Sequence, residues 1–254
     1  MATSFGALCT DFYINQKLAL KMDLPSDRET ILHLFDRVKK SVPNMTRFHR
    51  YNNELTLEST RREAEYRWVG LRRTSVRTGH VNPQSMAEAY KFHKLVLSEA
   101  PYHLTISPLD VDYLELLLGF DLECKADQDQ VVYEALYANT PMARLLKSDG
   151  PEGSEARLLD VQPLFGIALG PKGDTQAYFE VKTRTRGRRG QVAQYSTDPM
   201  SIYLTIRKYG PVHKIEDLET WFEALKGHAE TLAAERLVPD LLTPILRQIT
   251  SSNA

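Results

Sequence analysis

FYINQKLALKMDLPSDRETILHLF, residues 12–35, decides the fold class. Its first part alternates. Ile14, Gln16, Leu18, Leu20 and Met22 share one face, while Asn15, Lys17 and Lys21 take the other. Strand side chains alternate with period two, so this segment reads as a half-buried strand. Pro25 ends it. Ser26 to Glu29 then form a capping box, with Ser26 as N-cap and Glu29 three residues on. Ile31, Leu34, Phe35, Val38 and Val42 follow at helical spacing, and Pro43-Asn44 stops them. A strand leading into an amphipathic helix predicts an α+β fold in which helices cover a sheet.

The same change of period recurs along the chain. Leu55 and Leu57 predict a short strand after a turn at Asn52-Asn53. Residues 66–76 read as one long strand, with Tyr66 and Trp68 on one face and Val69 and Leu71 on the other. Residues 79–83 read as a loop. Ser85 to Glu88 is a second capping box, opening a helix with Ala89, Phe92, Val96 and Leu97 that runs to Pro101. A leucine-rich strand at 111–122 restarts the pattern. Asp127 or Asp129 caps a helix carrying Val131, Val132, Ala135 and Leu136. Residues 158–169, 176–185 and 200–209 predict three strands, the first two joined by a turn at Gly170 to Asp174. From Glu216 the chain reads as helix, with Leu218, Trp221, Phe222, Leu225, Ala229 and Leu232 in one stripe. Pro239 divides this from a last helix with Leu242, Ile245, Leu246 and Ile249.

The predicted order is βαββα, then βαβββαα. This predicts a mostly antiparallel sheet with helices on one face, built from an internally duplicated strand-helix-strand-strand-helix unit of about 125 residues. Two unrelated α+β halves are the alternative. The boundaries are a first half at 1–147, a linker-like segment at 148–157 containing SDGPEGSE, and a second half at 158–254. The first strand of the second repeat falls near 111–122. The two half-sheets could join into one or face each other across a cleft.

Composition narrows the class further. The chain has 254 residues, with 32 Lys+Arg against 33 Asp+Glu and 42% hydrophobic residues, which excludes disorder as its main state. Cys9 and Cys124 are the only cysteines and have no ligand spacing, so a disulfide scaffold or a Cys-based zinc site is not expected. The longest apolar run, Leu116 to Phe120, falls far short of the ~20 residues of a membrane helix. The N-terminus lacks the basic and apolar regions of a secretory signal. These features predict a cytoplasmic protein without a membrane partner. G-x-G-x-x-G, G-x-x-x-x-G-K-[ST], H-E-x-x-H and G-x-S-x-G are all absent, and no cofactor is expected.

Several stretches are similar to one family: LKMDLPSDRETILHLF (20–35), YRWVGL (66–71), GHVNPQSMAEAYKFHKLVL (79–97), PYHLTISPLDVDYLELLLGFDLE (101–123) and SIYLTIRKYG (201–210). Together they resemble an uncharacterised group of bacterial cytosolic proteins of similar length. The resemblance covers most of the chain. It implies a soluble, intracellular protein and brings no activity, cofactor or catalytic residue with it. The strand-helix-strand-strand units also look like those of tandemly duplicated ligand-sensing modules, a likeness of fold that does not fix function.

The strongest chemical signal is basic. Lys182, Arg184, Arg186, Arg188 and Arg189 crowd one segment, and the first three share a strand face. Arg207, Lys208 and Lys214 follow, among Tyr195, Tyr203 and Tyr209. Cations with aromatics on a sheet face suit phosphates and stacked bases. Residues 99–134 carry nine acids against Lys125, so acidic and basic segments could equally face each other. Gly187 to Gly190 could be a solvated hairpin tip. A second cluster is Arg72, Arg73, Arg77 and His80. In the duplicated arrangement it corresponds to Arg207, Lys208 and His213, and the two strand ends could converge on one anion. Asp110 and Asp112 form a D-x-D near Glu115, weak as a metal signal, and no metal ligand set is expected. Trp68, Trp221 and Phe222 fall on apolar stripes and read as core.

The candidate ligand-binding residues are thus Arg72, Arg73, Arg77, His80, Lys182, Arg184, Arg186, Arg207, Lys208 and His213. The function expected is non-enzymatic binding of an anionic small molecule or protein partner through basic strand faces. Nucleic-acid binding is one alternative. An enzyme with an unrecognised site between the halves is another, with Arg77, His80, His213 and Asp112 as its residues. Apolar residues between Leu237 and Ile249 make the C-terminal helices the candidate surface for a homodimer.

Overall fold

The computed structural model describes residues 5–60, 65–146, 158–184 and 198–252. In the first half, β1 (Asp11–Leu20) leads through α1 (Arg28–Ser41) to β2 (Met45–Tyr51), β3 (Glu54–Ser59), β4 (Tyr66–Arg72), β5 (Ser75–Val81) and α2 (Met86–His103). The second half, taken from the expected first strand of the second repeat and not from residue 158, runs β6 (Val111–Leu122), α3 (Gln128–Leu136), β7 (Leu164–Leu169), β8 (Thr175–Lys182), β9 (Met200–Tyr209), α4 (Asp217–Leu232) and α5 (Thr243–Ser252). The described strands form one antiparallel sheet in the order β2-β3-β4-β5-β1-β6-β9-β8-β7. The fold is α+β, as the change of period predicts.

Outward from the β1–β6 seam, both halves obey one rule. The first strand of each half lies at the seam, the last lies beside it, and the earlier ones lie further out. The first half has one strand more, β2. The half-sheets are joined edge to edge through β1 and β6, and do not face each other across a cleft.

Alternation explains the layering. On β1, Phe12, Ile14, Gln16 and Leu18 are buried, while Tyr13, Asn15 and Lys17 are half-buried. Leu114, Leu116, Leu118 and Phe120 of β6 and Ile202, Leu204 and Ile206 of β9 extend the buried side. α2 packs on β1 and β5, and α4 packs on β6 and β9. Phe5, Phe12 and Phe120 meet at the seam with ring centres between 5.2 and 5.9 Å apart. No described helix is long and apolar enough to cross a membrane.

Several elements differ from the sequence reading. Residues 66–81 are a hairpin, β4–β5, reversing at Arg73-Thr74, and not one strand followed by a loop. That turn holds no Gly, Asn or Pro, so composition does not mark it. β2 lies unread in a polar stretch because all its residues but Met45 are exposed at the sheet edge. The N-cap of α1 is Asp27, one residue past Ser26; its carboxylate accepts from the Thr30 N–H at 3.0 Å. Ser85 caps α2 as expected, accepting from the Glu88 N–H at 3.2 Å. Asp127, not Asp129, caps α3. Pro239 does not divide the C-terminal helix. Residues 233–242 widen into π-helical turns, which accommodate the ring and its missing N–H.

The C-terminal stripe is covered within the chain. Leu237, Leu242, Ile245 and Ile249 are buried, and Val238, Leu241 and Leu246 pack half-buried against the same core. α5 lies against α3, so these helices lack the free apolar face that a homodimer through them needs. The linker-like segment 148–157 lies outside the described residues.

Candidate functional site

The side of the sheet opposite the helices is floored by alternate strand positions. Trp68 comes from β4, Arg77 from β5, Tyr13, Asn15 and Lys17 from β1, Tyr113 and Glu115 from β6, Tyr203 and Arg207 from β9, and Tyr178 from β8. Two of the rings lie against glycine. A Cβ on Gly79 would sit 2.1 Å from the Trp68 indole, and a Cβ on Gly119 would sit 2.1 Å from the Tyr13 ring. Only glycine leaves room for these rings against the neighbouring strand.

A row of charge crosses this floor. Arg77, Lys17, Glu115 and Arg207 are successive register partners on β5, β1, β6 and β9. Arg207 donates from Nε to Glu115 at 2.8 Å and from Nη1 to the Tyr209 hydroxyl at 2.8 Å. Its guanidinium lies 4.6 Å from the centre of the Tyr113 ring. Burial works against its charge, but the bonds to Tyr209 and Glu115 outweigh burial and raise its pKa. Arg77 donates to Glu54 at 3.2 Å and sits 5.3 Å over the Trp68 ring. Glu54 also accepts from Arg72 Nε at 2.9 Å.

Lys17 is different. Its Nζ donates to the Tyr113 hydroxyl at 2.7 Å and has no carboxylate partner among the described residues. It stands directly opposite Arg77 on the neighbouring strand. Like charges directly opposite each other destabilise a sheet. Beside them, Asn15 Oδ1 is inaccessible to solvent and has no hydrogen-bond partner. Asn15, Lys17, Arg77 and Glu115 border a depression of about 1580 Å³, which the Asn52-Asn53 turn and the Arg73-Thr74 turn also bound.

The structure brings only some of the predicted residues to this place. Arg72, Arg73, Arg77 and Arg207 lie on or beside the open face, and Arg73 reaches Asp23 at 3.5 Å. Lys182 is opposite Ser201 at the far end of the same face. Arg184 donates there to the Ser201 and Tyr203 hydroxyls, at 3.2 and 3.4 Å. Lys208 points to the helix side, where it pairs with Asp174 at 3.1 Å and lies 5.2 Å over the Trp221 ring. His213 is exposed in the loop after β9. Arg186, Arg188, Arg189, Tyr195 and the Gly187–Gly190 tip lie outside the described residues.

His80 is on the buried side. Its Nε2 lies 2.9 Å from Glu65 and accepts from Arg67 Nε at 3.2 Å; burial lowers its pKa, against the opposing bond to Glu65. The Glu88 carboxylate of α2 also holds Arg67. His93 of α2 is fully buried nearby, with Nδ1 2.7 Å from the Thr78 hydroxyl. Arg77 and Asp112 both border the depression, but His80 is on the buried side and His213 in the loop after β9, so the four do not share one site. Asp110 is engaged as a cap, its carboxylate accepting from the Ser107 N–H at 2.8 Å.

Lys17, Asn15, Tyr113 and Trp68 are functional candidates that sequence reasoning missed. Trp68 is not a core residue: it is half-buried on the open face, whereas Phe222 is core and Trp221 half-buried. The signal available was glycine within strands, at Gly79 and Gly119, which marks a close approach. No family model matches the chain, and no curated protein matches it.

Proposed function

We propose that this protein is a non-enzymatic binding protein that holds an anionic, ring-bearing ligand on the open face of its sheet. The observation that carries this reading is Lys17 opposite Arg77, without a carboxylate of its own among the described residues, beside rings packed against glycine. An anionic group at Lys17 supplies the counter-charge that Glu54 already supplies to Arg77. A planar group stacks on Trp68 or Tyr13.

This reading is narrower than basic strand faces as a whole. Arg72, Arg77 and Arg207 already have carboxylate partners, so they orient the floor more than they attract phosphate. A nucleic-acid backbone is bound by many cations in series, which makes nucleic acid the second reading. The enzyme alternative keeps Arg77 and Asp112 at the depression, with His80 and His213 elsewhere. Cys9 and Cys124 are unpaired, in keeping with a cytoplasmic location.

Fluorescence tests it. The chain has two tryptophans, so Trp221→Phe leaves Trp68 as sole reporter of the open face. Adenosine monophosphate joins a flat ring to an anion, while adenosine and inorganic phosphate each supply one part. The monophosphate is expected to change Trp68 emission at lower concentration than either part. Lys17→Glu is expected to weaken it at least tenfold, or about 1.4 kcal/mol. No response to any of the three, or equal binding by Lys17→Glu, sinks the reading. Oligothymidylate binding with a log–log salt slope steeper than roughly −2, about three phosphates, would shift the assignment to nucleic acid.

A further inference from the structure

The two edges of the sheet differ in chemistry. One edge is β2, whose sequence MTRFHRY carries Arg47, His49 and Arg50. Charges of this kind discourage pairing with another strand. Among the described strands the other edge is β7, whose sequence LFGIAL has no charge and no proline. Leu164 is 61% exposed and Phe165 56% exposed. In the first half, the strand equivalent to β7 is β3, and β2 covers it.

Hydrogen bonding shows which groups of β7 face outward. The Val181 N–H of β8 donates to the Pro163 carbonyl at 2.9 Å. Residues 163 and 181 are therefore a hydrogen-bonded pair, and so is every second pair after them in the β7–β8 register. Leu164, Gly166 and Ala168 then direct their own N–H and C=O groups away from β8.

We infer that β7 pairs antiparallel with β7 of a second copy of this chain, giving one sheet continuous across a symmetric dimer. The strand is complementary to itself when Gly166 lies on the two-fold axis. Leu164 then faces Ala168 of the copy through outward hydrogen-bonding groups, and Phe165 meets Ile167 on the helix side. No side chain has to change faces, because partner positions have the same parity. The paired length is only about 20 Å, so the dimer is weak, with a Kd on the order of micromolar. This inference does not depend on the ligand reading.

Sedimentation velocity between about 1 and 100 µM tests it. The wild-type mass is expected to rise from monomer to dimer across this range. Phe165→Lys places a charge on the edge at an exposed site and is expected to weaken the dimer at least tenfold. A thermal melt by circular dichroism serves as the folding control. In a second variant, Leu164→Cys with Ala168→Cys, the cysteines face each other across the axis with Cα atoms about 5.5 Å apart, within disulfide reach. Oxidation is expected to give a covalent dimer, while buried Cys124 and partly buried Cys9 stay out of the exchange. A wild type that stays monomeric overturns the inference. So does an undiminished dimer of Phe165→Lys, or a failure of the cysteine pair to cross-link.

Discussion

Lowering the pH from 8 to 5 is expected to remove about 2 kcal/mol of stability through His93 alone. His93 is fully buried between α2 and the sheet, and its Nε2 has no hydrogen-bond partner. Burial, with a smaller contribution from the neighbouring His80, pushes its pKa down to about 3. In the unfolded chain a histidine titrates near its ordinary value of about 6.5. The folded state thus keeps a neutral imidazole where the unfolded state takes up a proton. Stability is whole above about pH 6.5 and falls as the pH drops toward the folded pKa, reaching a loss of about 3 kcal/mol at pH 4. His80 acts in the same direction, since burial lowers its pKa despite Glu65. Asp121 acts in the opposite one: burial raises its pKa, so its contribution is present in acid and lost as the pH rises. It offsets part of the loss only toward the acid end. Urea unfolding at pH 8, 6 and 5 measures the slope. His93→Gln is expected to flatten it. A stability unchanged between pH 8 and 5 in the wild type would mean that His93 is not held neutral.

The central strands were legible because their meaning is local. Leu114, Leu116, Leu118 and Phe120 alternate within one segment, and so do Ile202, Leu204 and Ile206. The helix starts were legible for the same reason, since a cap and its N–H lie within three residues. The β4–β5 hairpin was not, because Arg73-Thr74 turns on backbone geometry alone. Treating residues 79–83 as a loop freed His80 from strand parity. The strand puts it beside Thr78 and Val76 on the buried side, away from Arg77.

The candidate site was legible as charge and illegible as partnership. Arg77 and Arg207 stood out, but Glu54 is 23 residues from Arg77 and Glu115 is 92 residues from Arg207. Whether an arginine is free or neutralised is a property of strand order. Lys17 was passed over for the converse reason. A lone lysine on the polar side of a strand is ordinary, and it becomes notable only when the register sets it opposite Arg77. Trp68 reads as core because it falls on an apolar stripe, although Gly79 across the pair is what gives the ring its place.

Phe120→Ala is expected to cost about 3–5 kcal/mol, a large share of the roughly 5–15 kcal/mol that holds a domain folded. Phe120 is fully buried on β6 and touches the Phe5 and Phe12 rings of the first half. Truncation removes both ring contacts and leaves a cavity at the seam, where the paired β1 and β6 backbones limit collapse. The manner of unfolding matters as much as the cost. β1 pairs with β6 along its whole length, and above the seam Tyr90 of α2 meets Phe222 of α4 with ring centres 6.0 Å apart. Sheet and helix layer are both continuous from one half to the other, so the chain should lose its structure in one step. Trp68 reports the first half and Trp221 the second. Urea transitions of Trp221→Phe and Trp68→Phe, each with and without Phe120→Ala, are expected to shift together when normalised to their own parent. If Phe120→Ala moves the Trp221 transition and leaves that of Trp68 in place, the seam is an interface between two folding units, and the two halves are separate domains despite their shared sheet.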